Sequence, residues 1–95
     1  MNNLRSRILG EAEKIVNGHR EDDYGSPENS FRAIADLWSG YLGTEILPVD
    51  VAMMMTLLKV ARIRSAPGRP TEDSFVDACG YMACAAEIML REEDE

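Results

Sequence analysis

Asp73 and Asp77 stand four residues apart in a stretch with helical periodicity, which puts two carboxylates about 6 Å apart on one helix face. Two carboxylates beside phosphate oxygens are a common way of holding Mg²⁺, because that ion keeps several waters and needs few protein ligands. Tyr81, one turn further, carries a phenol able to hydrogen-bond a ligand or a carboxylate. Lys59 and Arg62 form a K-x-x-R pair near the end of the preceding helical stretch. The arginine can clamp phosphate oxygens with two N–H groups, and the lysine acts as a point charge. Metal-assisted attack of water on a phosphate is the chemistry this set supports. A simpler reading competes: Asp73 complements the helix dipole, and Asp77 is the ion-pair partner of Lys59 or Arg62. Spacing alone favours the simpler reading. The combination speaks for a site, since cations and carboxylates lie on otherwise apolar faces of adjacent helices, where charge is costly unless paired or used.

A third group of residues lies in the least regular segment, HREDDYGS from His19 to Ser26. It reads either as a solvated loop with Ser26 capping the next helix, or as a loop presenting Arg20, Asp23 and Tyr24 to a ligand. Nucleophilic catalysis finds no support: the lone histidine, His19, sits in this loop, and neither a Gly-x-Ser-x-Gly elbow nor a phosphate-cradling glycine loop is present. Cys79 and Cys84 are five apart on one helical stretch, so their side chains diverge and a mutual disulfide is not expected. Their spacing does not suit zinc either, and both read as reduced core residues of a cytoplasmic protein.

Four helices would position these residues, at about 3–17, 27–42, 48–65 and 72–91. The first stacks Leu4, Ile8, Ala12 and Ile15 and stops at Asn17-Gly18, both of which tolerate a left-handed backbone. Pro27 opens the second, whose stripe is Phe31, Ile34, Ala35, Trp38, Tyr41 and Leu42. Glu28, Arg32 and Asp36 make an i,i+4 charge ladder on its far side, as an exposed ion-pair row does. Pro48 opens the third helix, with Asp50 as a first-turn acid. At about 100° per residue, Val49, Met53, Thr56, Leu57, Val60 and Ile63 form one apolar face of it. Val51, Ala52, Met55 and Leu58 form a second, roughly opposite face, and Lys59 and Arg62 lie there too. A helix apolar on both sides in so small a chain suggests burial by another subunit. Thr71 can cap the fourth helix, whose expected core face is Phe75, Cys79, Met82, Ala86 and Met89, with Asp73, Asp77, Tyr81 and Cys84 on another stripe.

The length of 95 residues predicts one domain, and four helical stretches without strand-like alternation make it all-α. A formal net charge of −7 argues against general DNA or RNA binding, which needs a basic surface. It leaves room for a small phosphorylated ligand held by a few local cations. No stretch approaches the roughly 18 apolar residues of a membrane span, and the N-terminus lacks the apolar core of a secretory signal.

In order along the chain, R-x-x-x-YG (Arg20, Tyr24, Gly25), IADLWSGYL, DVAMMMTLLKVARI and DSFVDACGY resemble a small phage- and prophage-borne helical domain. That domain in turn resembles the MazG-like all-α nucleotide pyrophosphohydrolases. The resemblance implies a helical, oligomeric, Mg²⁺-dependent protein that cleaves nucleoside triphosphates to monophosphate and pyrophosphate. It implies that Lys59 and Arg62 match a phosphate-side K-x-x-R pair, and that Asp73, Asp77 and Tyr81 match a D-x-x-x-D-x-x-x-Y helix. MazG-like enzymes hold metal through an E-x-x-E pair on one helix and an E-x-x-D pair on the next. At the matching positions this chain has neither, since Glu28-Asn29-Ser30-Phe31 lacks the second acid and the fourth helix spaces its acids by four, a departure that bears on catalysis more than on nucleotide binding.

The expectation is therefore an oligomeric four-helix protein that binds a (d)NTP and hydrolyses it with Mg²⁺. Asp73 and Asp77 are its metal and catalytic residues, and Arg20, Tyr24, Lys59, Arg62 and Tyr81 are its ligand contacts. A non-catalytic phage sponge for a nucleotide signal and a purely structural helical oligomer are the alternatives.

Overall fold

The computed structural model describes residues 3–18, 27–68 and 71–94. Among the described residues there are four helices, α1 (Leu4–Asn17), α2 (Pro27–Leu42), α3 (Pro48–Ser65) and α4 (Glu72–Asp94), and no strand. The last helix continues to Asp94, three residues beyond the bound read from sequence.

Local chemistry explains most helix ends. Asn3 Oδ1 accepts from the Ser6 amide at 2.8 Å and caps α1. Gly43, at φ +72°, ends α2 in the left-handed region where a Cβ is penalised. Asp50 Oδ2 accepts from the Leu47 amide at 2.9 Å, so this acid fixes the start of α3. Gly18 ends α1 by another route than the sequence suggests. Neither it nor Asn17 is left-handed; instead a Cβ on Gly18 would lie 2.7 Å from the Lys14 carbonyl oxygen.

The connection between α2 and α3 is tied down by Ser39. Its hydroxyl accepts from the Ile46 amide at 2.8 Å and donates to the Ile46 carbonyl at 3.2 Å. Two backbone groups that the turn would otherwise leave unpaired are thereby satisfied.

The most extensive packing is between α3 and α4; α1 lies on α4, and α2 packs mainly on α3. Phe31, Ala35, Val51, Ala52, Cys84, Ala85 and Ile88 form the core, with Val16, Trp38, Met55 and Tyr81 packed around it. The buried side of α4 is thus Val76, Gly80, Cys84, Ala85 and Ile88. This corrects the expected core face. Phe75, Met82, Ala86 and Met89 point to solvent, and Cys79 is half-buried. Small residues explain the choice, because Gly80, Cys84 and Ala85 let neighbouring helices approach closely. A Cβ on Gly80 would already lie 3.3 Å from Val16 Cγ1.

Two further expectations change. Tyr41 and Leu42, assigned to the buried stripe of α2, are exposed, Tyr41 by 89%. On α3, Val51 and Ala52 are fully buried, whereas Met53, Leu57 and Val60 of the other face are exposed, Leu57 by 63%. Among the described residues that face is thus only partly covered, with Val49, Thr56 and Ile63 half-buried.

Candidate functional site

The link from α3 to α4 is only six residues long, so the two helices run antiparallel, and position 59 comes opposite position 77. Lys59 Nζ lies 3.0 Å from Asp77 Oδ2, with the lysine side chain 13% and the aspartate side chain 30% exposed. Of the two partners that spacing allows Asp77, the structure selects Lys59. The rest of the Lys59 side chain runs along the apolar contact between the helices, which is how long cationic side chains combine burial with charge.

One turn further along each helix, antiparallel register brings Arg62 and Asp73 to the same level, at the outer edge of the contact. Both are exposed, and among the described residues neither makes an ion pair. The result is a short charged row. Its inner pair is closed and half-buried, and its outer pair is open to solvent.

Tyr81 occupies the next turn of α4 inward and is half-buried. Its ring centroid is 6.2 Å from that of Phe31 with a tilt of 35°, an aromatic contact that joins α4 to α2. Arg20 and Tyr24 lie outside the described residues. Of the seven residues proposed from sequence, then, four fall in one row, Tyr81 is half-buried beside it, and two lie outside the described residues.

For metal, the row's described residues offer two carboxylates. Among the described residues no group of three or more His, Cys, Asp or Glu side chains is gathered as a ligand cluster. Two carboxylates suit a Mg²⁺ that takes its remaining ligands from water and phosphate, and do not suit an all-protein cage.

A shallow groove of about 610 Å³ lies elsewhere, between the second half of α2 and the α2–α3 connection. Arg32, Asp36, Ser39, Glu45 and Leu47 line it, and none of the row's residues does. Ser39 drew no attention from sequence, since a serine within a helical stripe carries no signal of the loop it will hold.

Among the described residues no helix is long and apolar enough to cross a membrane. Comparison with known proteins gives a consistent picture. The family model described as Domain of unknown function (DUF6378) matches residues 7–89. Two curated relatives are each called Gene 55 protein. That of Mycobacterium phage D29 is 43% identical over 85 residues, covering 90% of this chain and 55% of the relative. That of Mycobacterium phage L5 is 41% identical over 88 residues, covering 92% of this chain and 55% of the relative. The chain thus spans about half the length of the curated relatives it matches. No solved structure matches the chain. With four-fifths or more of its length covered by the family model and by phage relatives alike, the chain belongs to the DUF6378 family.

Proposed function

We propose that this is an oligomeric phage-type domain that binds a small phosphorylated nucleotide at the Lys59–Arg62–Asp73–Asp77 row. One observation carries the reading: a half-buried Lys59–Asp77 pair is continued, one turn outward, by a cation and a carboxylate that have no ion-pair partner among the described residues. Nucleotide phosphates would engage Arg62 through paired N–H donors and draw Lys59 from Asp77. The released carboxylate, with Asp73, would share a Mg²⁺ with the phosphate oxygens, so that anion and cation each replace half of the resting pair.

The enzymatic form of this reading follows the MazG-like resemblance. Water would attack the α-phosphorus, and the α–β bridging oxygen would leave with pyrophosphate. The small ligand set favours binding over turnover, which keeps the sponge as the non-catalytic form of the same reading. A structural role is the second reading, and the Lys59–Asp77 contact at 3.0 Å is the observation that favours it.

A thermal-shift panel of nucleotides, each with and without Mg²⁺, separates the three. A ligand that binds only the folded state stabilises it by about 2.7 kcal/mol at 100 times its Kd. A Mg²⁺-dependent shift with a triphosphate supports the enzyme and names the substrate for a turnover assay. A metal-independent shift supports the sponge, and a flat panel supports the structural oligomer.

A further inference from the structure

Helix α1 is held to the rest of the fold along one side only. Among the described residues it packs on α4 and on no other helix. Two contacts set the register: Arg7 Nη2 lies 2.6 Å from Glu72 Oε1, and Val16 lies against Gly80, so α1 runs parallel to α4. Between them come Ala12 of α1 and Val76 of α4, both buried. This contact is distinct from the core, which joins α2, α3 and α4. Neither Ala12 nor Val76 belongs to the core, and among the described residues of α1 only Val16 packs against it. We propose that α1 is a releasable strap, which undocks from α4 and unwinds as one unit while α2, α3 and α4 stay folded, with Arg7–Glu72 as its latch.

Packing and charge both make this attachment weak. The buried side chain of α1 is an alanine, which has little apolar area to hide, whereas Leu4 and Leu9 are exposed. The latch lies between two exposed side chains, so solvent screens it. A helix of 14 residues is marginal alone in water, so α1 unwinds once it leaves α4. The other three helices share one core, and none of them can leave without exposing it. Release of α1 bares Val76 and the Gly80 side of α4. Val76 adjoins Asp77 and lies one turn from Asp73, so the bared strip borders the charged row.

The strap is independent of nucleotide binding, and native-state amide exchange of the whole chain, followed residue by residue by NMR, tests it. In the wild type, the α1 amides should share one protection level, at least about tenfold below that of the core amides of α3 and α4. Arg7→Gln should speed exchange in α1 by about 2- to 5-fold, the range an exposed ion pair supports, and leave α3 unmoved. Val51→Ala, in the core, should speed exchange in α3 and α4 by about tenfold or more, and in α1 by a much smaller factor. One protection level across all four helices overturns the strap, because α1 then opens only when the whole chain unfolds. So do α1 amides that follow the core in Val51→Ala. Exchange in α1 that Arg7→Gln does not change overturns the latch.

Discussion

Replacing Asp77 with asparagine removes the counter-charge of Lys59 while keeping the side chain's shape. The magnitude follows from exposure. Fully exposed ion pairs contribute about 0–1 kcal/mol, and breaking a fully buried one costs about 3–5 kcal/mol. Lys59, at 13% exposure, lies nearer the buried limit, and Asp77, at 30%, nearer the exposed one. Asp77→Asn strands the more buried charge, although its amide oxygen still accepts a hydrogen bond from the ammonium. The expected loss is about 2 kcal/mol. In a domain of this size that lowers the melting temperature by roughly 8–16 °C. Lys59→Met strands a carboxylate that solvent reaches more easily, and should cost about 1 kcal/mol. The double variant should be more stable than the two single losses added together, with a coupling of about 1 kcal/mol. Thermal melts by circular dichroism, all at one protein concentration so that any assembly affects them alike, measure all four proteins. Single variants that both melt within about 0.5 kcal/mol of the wild type would refute the claim that this pair supports the fold.

Two other substitutions probe the elements that hold the row in place. Ser39→Ala unties both backbone groups of Ile46 and should cost about 1–2 kcal/mol, read by urea denaturation with an unchanged m value. Gly80→Leu puts bulk where even a Cβ lies 3.3 Å from Val16, so α1 must move off α4. The expected loss is about 1–3 kcal/mol, with faster amide exchange confined to α1.

Helix existence was legible in the sequence because Pro27, Pro48 and Gly43 punctuate long apolar-rich stretches, and each sits where its backbone preference is used. Orientation was less legible. On α4 both sides of the helix are apolar, and periodicity cannot tell a face that meets its own chain from one that meets another. The larger side chains, Phe75, Met82 and Met89, drew the assignment, yet the fold buries the side where Gly80, Cys84 and Ala85 allow close approach. Tyr41 and Leu42 continue the α2 stripe in sequence, but lie at its exposed end. In the candidate site, the wheel positions of Lys59 and Asp77 implied facing stripes. Only the antiparallel register from the six-residue link decided which cation meets which acid.

Arg62 offers the most direct test of the proposed ligand site, since it is exposed and its ion-pair role within the described residues is nil. Isothermal titration of the nucleotide that gives the largest thermal shift, with Mg²⁺ present, should be compared for wild type and Arg62→Gln. Loss of a charge-assisted phosphate contact of about 1.5–3 kcal/mol predicts roughly 10- to 100-fold weaker binding, with the melting temperature of the free protein unchanged. Equal affinity of the two proteins, or no measurable binding by the wild type, would contradict a nucleotide site at this row.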